Sequence, residues 1–95
     1  MKTIRHGHQY QLASFEGSTP QTIQFIEKTV EGTVHDGTTN EEVLAVLIDR
    51  LNYLQAKMPC RENALVITKL EEALLWLNHR TNQRKARGVD GSQTP

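Results

Sequence analysis

The 95-residue chain is long enough for one small domain, and a chain of this size buries only a modest fraction of its surface on folding, so burial between chains is the expected source of further stability. Eleven basic and eleven acidic side chains cancel to a formal charge of zero, which excludes a global field drawing the protein onto nucleic acid or anionic lipid and leaves only a local anion site. A single cysteine, Cys60, excludes an internal disulfide; with no signal-peptide pattern and no apolar run of membrane length, the expected setting is a reducing cytoplasm with no membrane contact.

From Met1 to Val34 the pattern is that of strands. Tyr10 to Phe15 alternates imperfectly and ends in the turn-rich cluster Glu16-Gly17-Ser18-Thr19-Pro20. A second run, Gln21 to Val30, sets Ile23 and Phe25 on one face and Gln24, Ile26 and Lys28 on the other. The two runs predict a β-hairpin. Gly32-Thr33-Val34-His35 adds a short third strand, Asp36-Gly37 is a turn signal that closes the β part, and Lys2 to Arg5 pairs on an edge.

A first helix opens at Thr39, whose spacing to Glu42 is that of a capping box, with Glu41 and Glu42 in the first turn where the helix dipole favours them. Leu44, Leu47, Ile48, Leu51 and Leu54 form its apolar stripe, and Val43 and Val46 widen it. Pro59 forces the turn and supplies the first residue of a second helix with nothing to break it before Gly88. The loop is too short for anything but an antiparallel αα-hairpin. The second helix, at about 24 residues and about 36 Å, outruns the first by about 10 Å. Ile67, Leu70, Leu74 and Leu77 make its main seam, while Leu65, Val66, Ala73 and Trp76 extend it sideways. Two apolar faces need two partners: either the first helix and the sheet, or the first helix and a second chain. The expected fold is therefore α+β, a small N-terminal antiparallel β-sheet followed by a helical hairpin with a long second helix, in an oligomer. Residues 1–88 are expected to form a single domain, with a β segment at 1–37, the hairpin at 39–86 and a disordered tail at 89–95.

Chemistry is concentrated on the second helix. Arg80 and Arg84 lie one turn apart near its end, where two guanidinium forks suit a phosphate or pyrophosphate, although the helix dipole alone also favours cations there. Its start carries Arg61 and Asn63 beside the unpaired N–H groups of a first turn. Asn63 and Arg80 are about 25 Å apart on one helix and cannot hold one small ligand together. In an antiparallel pair of second helices from two chains they come side by side, giving two equivalent pockets. Tyr53 is either packing or a ring for a stacked base, and Lys28 is a candidate phosphate contact from the sheet. Cys60 is expected to be a small packing residue. His6 and His8 share one side of a strand without further ligands to complete a metal site. No P-loop, GxGxxG, nucleophile elbow or HExxH occurs, so neither an enzyme nor a cofactor is expected.

The segment Asp36-Gly37-Thr38-Thr39-Asn40-Glu41-Glu42, the turn Pro59-Cys60-Arg61-Glu62-Asn63, the run Thr68-Lys69-Leu70-Glu71-Glu72-Ala73-Leu74-Leu75-Trp76-Leu77, then Arg80-Thr81 and Arg87-Gly88-Val89, resemble the helical-hairpin domain of phage anti-defence signal sponges. That family includes Thoeris anti-defence proteins and the smaller anti-CBASS proteins, and the preceding β segment is similar to the Thoeris branch. The resemblance implies sequestration without chemistry, in the cytoplasm of an infected bacterial host, of a nucleotide messenger: cyclised ADP-ribose or cyclic di- and trinucleotides. It implies a homodimer or a hexamer made as a trimer of dimers. It also implies roles: Tyr53 as the stacking ring, Asn63 as the base or ribose contact, Arg80, Arg84 and Lys28 on phosphates, and Arg61 in a second site found only in a hexamer. Two alternatives stand beside it, a small nucleic-acid-binding regulator using the basic helix end and a helical assembly protein that only oligomerises.

Overall fold

The computed structural model describes residues 1–88; the tail expected at 89–95 lies outside the described residues. The chain divides into two compact units, Met1–Thr39 and the part from Asn40 onward.

The first unit holds five short strands: β1 (Lys2–Arg5), β2 (Gln9–Leu12), β3 (Gln21–Gln24), β4 (Glu27–Lys28) and β5 (Val34–His35). β1, β2 and β3 form an antiparallel sheet in that order, and β4 pairs antiparallel with β5. The expected hairpin is β2–β3, in the register Gln9 to Gln24 through Leu12 to Gln21, and Lys2 to Arg5 does pair on its edge. The run Gln21 to Val30, expected as one strand, is two. Its backbone changes partners midway: the Phe25 N–H donates to the His8 carbonyl at 2.7 Å, and the next N–H, on Ile26, donates to the Thr38 carbonyl at 2.9 Å. Val34 and His35 accordingly extend β4 rather than the hairpin. His6 and His8 sit in the β1–β2 turn and not on a strand. That turn needs the positive φ of Gly7 (84°) and is tied by the Gly7 N–H donating to the Tyr10 hydroxyl at 2.8 Å. The Tyr10 ring in turn meets Phe25 edge-on, with centroids 6.2 Å apart.

Asp36-Gly37 forms no turn, contrary to expectation, and links β5 to Thr38 without regular structure. The Gln24 side-chain amide donates to the Asp36 carbonyl at 3.0 Å, and the Thr38 N–H donates to the Gln24 carbonyl at 2.8 Å. Glycine serves here for close approach: a Cβ on Gly37 would stand 2.5 Å from the Phe25 carbonyl carbon and 2.7 Å from the Gln24 oxygen.

The second unit is the helical hairpin, α1 (Asn40–Lys57, 18 residues) and α2 (Arg61–Ala86, 26 residues). α1 begins directly after Thr39, with Glu41 and Glu42 in its first turn. Pro59 lies two residues before α2 rather than inside it, and Cys60 is the N-cap. Its backbone is extended (φ −147°, ψ 155°) and its sulfur accepts from the Asn63 N–H at 3.4 Å. The Gln55 side chain fixes that geometry by accepting from the Cys60 N–H and donating to the Cys60 carbonyl, each at 3.0 Å. Cys60 is thus an exposed capping residue and not a packing residue. α2 ends where expected: Gly88 adopts φ 72° and its N–H returns to the Lys85 carbonyl at 3.0 Å. The difference of eight residues between the helices carries α2 about 12 Å further than α1.

On α2 the side chains withdrawn from solvent are Asn63, Ile67, Leu70, Leu74, Leu77, Thr81 and Arg84, an alternation of four- and three-residue steps that is the heptad of an antiparallel coiled-coil seam. Opposite them, α1 withdraws Val43, Leu44, Ile48, Leu51 and Leu54. Ile67, 8% exposed, is the most buried apolar residue among those described. Leu47 lies outside the seam and is exposed, as are Val46, Leu65, Val66, Leu75 and Trp76. Among the described residues no helix is long and apolar enough to cross a membrane.

Two stability measurements follow from this packing. Ile67→Ala removes three carbons from the seam and should cost about 2–4 kcal/mol in urea unfolding, whereas Leu75→Ala, at a side chain 65% exposed, should change stability by no more than about 0.5 kcal/mol. Gly37→Ala should abolish β-unit amide protection in hydrogen exchange while α1–α2 protection persists, because its methyl has no room beside the Phe25 backbone.

Candidate ligand-binding site

The hairpin separates its polar groups into two sets. At the turn end, α1 contributes Tyr53 and Lys57, and the first turn of α2 contributes Arg61 and Asn63. Tyr53 and Arg61 are exposed; Asn63 is half-buried, the first member of the seam. The turn itself is stiff, since Gln55 and the Cys60 sulfur between them bind three backbone groups of residues 60–63. At the far end of α2 stand Arg80, Arg84 and Lys85, with Arg87 as its C-cap. Arg80 is exposed. Arg84 is buried, 9% exposed. The two arginines therefore present different surfaces, and Arg80 alone of the pair is offered to solvent. An open hollow lies against the same end, beside Gln83, Ala86 and Arg87.

Between the two ends runs a second stripe, all of it exposed: Glu62, Val66, Lys69, Ala73, Trp76 and Arg80. These residues also step by four and three, so they form a line along one flank of the helix beside the α1 seam. Its apolar members Val66 and Trp76 are large side chains left in water, and the Trp76 ring meets the His79 ring edge-on, at 5.9 Å between centroids.

Lys28 belongs to β4 in the first unit, where it is half-buried. Its neighbour Glu27 is the centre of the most densely charged cluster of that unit. Arg5 Nη2 donates to both Glu27 oxygens, to Oε1 at 2.6 Å, and His8 Nε2 lies 3.7 Å from Oε1. His35 faces Glu27 across the β4–β5 pair. The Arg5 hydrogen bond, reinforced by the charges of Arg5, His8 and His35, holds the Glu27 carboxyl below its ordinary pKa against a weaker opposing effect of desolvation. Sequence reasoning missed this cluster because its central pair, Arg5 and Glu27, lies 22 residues apart. It also missed Lys57, for which the signal was present: the Tyr53-to-Lys57 spacing is one helical turn, and the ammonium rests 4.8 Å from the ring centroid.

A carboxyl held low stabilises the fold fully above the ordinary glutamate pKa, about 4.3, and loses that contribution as pH falls through the lower folded value. Acid titration followed by β-unit amide signals should show loss of structure below about pH 4 in the parent, and Glu27→Gln should weaken the unit at neutral pH while flattening that acid dependence.

With this geometry in hand, the similarities to known proteins are specific. The family described as Acb2/Tad1, hairpin domain, matches residues 19–82. A curated relative, Thoeris anti-defense 1 of Bacillus phage SBSphiJ7, is 55% identical over 58 residues, which cover 60% of this chain and 41% of that protein. The chain thus spans about two fifths of the relative's length. The family match runs from the β2–β3 loop to within one turn of the end of α2 and takes in well over half of the sequence, so the chain belongs to the Acb2/Tad1 hairpin-domain family.

Proposed function

We propose that this protein is a phage anti-defence factor that sequesters a bacterial immune nucleotide messenger, cyclised ADP-ribose or a cyclic di- or trinucleotide, and performs no chemistry on it. The observation that carries the reading is the separation of the polar groups, with Tyr53, Arg61 and Asn63 at the turn end of the hairpin, Arg80 at the far end of α2, and an exposed stripe along α2 between the two ends. Family membership and the name of the Bacillus phage relative, Thoeris anti-defense 1, support the anti-defence role.

The stripe is matched to a second copy of itself. In an antiparallel pair of α2 helices, Glu62 faces Arg80, Val66 faces Trp76 and Lys69 faces Ala73, each pair summing to the same register. That arrangement removes two tryptophans and two valines from water and brings the partner's first helical turn to Arg80. A ligand in the resulting pocket would stack on Tyr53, meet the Asn63 amide and lay its phosphates on Arg80, with Arg84 fixing the far end and Arg61 as a further contact. Two such pockets arise per dimer. Binding here calls on stacking and charge-assisted hydrogen bonds, which hold a ligand reversibly and break no bond.

Calorimetric titration with the cyclic messengers tests this directly. The protein should bind at least one of them with a stoichiometry of one per chain and release it unaltered on heating; a cleaved product, or no binding, would falsify the reading. Arg80→Ala should reduce affinity at least about 100-fold, as expected for removing a charged partner of a phosphate, with unchanged mass by light scattering. Trp76→Asp should lower both mass and affinity.

A further inference from the structure

Tyr53 stands on the outer surface of α1, 54% exposed, and the Lys57 ammonium lies over its ring, 4.8 Å from the centroid. Helical side chains lean toward the N-terminus, so a lysine four residues later folds back onto the ring without strain. Neither residue belongs to the seam with α2; both are exposed. The ammonium therefore covers the surface that a planar base would use. It is held there weakly, by an attraction worth about two- to five-fold in population at an exposed site, on a flexible four-carbon stem whose charge is mobile.

The surroundings of the ring are asymmetric. One turn before Tyr53 the same line carries Asp49, and one turn after it carries Lys57. A phosphate attached to a base on this ring is repelled from the Asp49 side and drawn to the Lys57 side. The Lys57 side is also the rigid one, where Gln55 pins Cys60 and the first turn of α2 begins with Arg61.

We infer that Lys57 is a displaceable anion contact for a phosphorylated nucleoside at Tyr53. In the free protein its ammonium covers the ring; when a base stacks there, the ammonium moves off the ring and onto the phosphate that the base carries. Lys57 thereby shields an exposed aromatic surface before binding and orients the ligand, phosphate toward the hairpin turn, after it. The nature of the ligand rests on the sequestration reading, whereas the residue and its movement are additional to it.

Adenosine and adenosine 5′-monophosphate are the probes, titrated into the full chain and into Lys57→Met and Tyr53→Leu. The parent should prefer the monophosphate about ten-fold or more, the scale of one charge-assisted hydrogen bond. Lys57→Met, which keeps the stem and drops the charge, should erase that preference and leave adenosine binding unchanged or slightly tighter, while Tyr53→Leu should lose both probes. Nuclear magnetic resonance should show the Lys57 ε-protons shifted upfield by the ring in the free protein and released when the monophosphate binds. Equal preference in the parent and Lys57→Met, tighter monophosphate binding by Lys57→Met, failure of the parent to bind either probe, or no ring shift in the free state would each overturn the inference. Cyclic messengers separate the two failures: a parent that retains them, with Lys57→Met equally avid, removes the role of Lys57 and leaves sequestration intact, and a parent that binds none removes sequestration itself.

Discussion

The interaction on which the hairpin depends is the seam between α1 and α2. Ile67, Leu70, Leu74 and Leu77 supply its apolar centre, and alternation by four and three keeps them on one line for about three turns. A helix held along one line leaves its other surfaces to be used. On α2 the adjacent line carries Val66, Ala73 and Trp76 in water, so the packing that builds the hairpin also exposes the stripe that a partner would cover. The same line ends in polar residues, Asn63 and Arg84, which mark where hydrophobic packing stops and ligand chemistry becomes possible.

Rigidity at the turn has a comparable role. Three hydrogen bonds converge on residues 60–63, two from the Gln55 side chain and one to the Cys60 sulfur. They satisfy orphan backbone groups of the α2 start and fix the spacing between Tyr53 on one helix and Arg61 and Asn63 on the next. Cysteine as an N-cap is a weak acceptor, and the flanking glutamine compensates by holding its backbone extended. The β unit is stabilised differently. Its sheets are short, and the connection between them depends on a backbone that changes partners at Phe25 and Ile26, on the missing side chain of Gly37, and on the Arg5–Glu27 pair.

Much of this was legible in the residues. The helical hairpin followed from apolar spacing, from Pro59 between two periodic runs and from Gly88 beyond the second. The length excess of α2 followed from the same boundaries. Less of the β unit was legible: Gln21 to Val30 has the composition of one continuous strand, and nothing local in it shows that consecutive N–H groups at Phe25 and Ile26 point to His8 and Thr38. The Asp36-Gly37 pair has turn chemistry yet forms no turn, since glycine answers equally well to a need for positive φ and to a need for space.

The sequence by itself determined the periodic features: two helices, their lengths, their antiparallel pairing and the identity of the polar residues at each end. Those properties depend on spacing along one chain, and spacing is what a sequence records. Tertiary structure alone decided which residues of a polar set share a surface. It separated exposed Arg80 from buried Arg84, gathered Arg5, His8 and His35 around Glu27, and laid the Lys57 ammonium on the Tyr53 ring. Each of these depends on the direction a side chain takes once its neighbours are packed, and that direction is set by contacts between distant segments or by the choice of one rotamer among several.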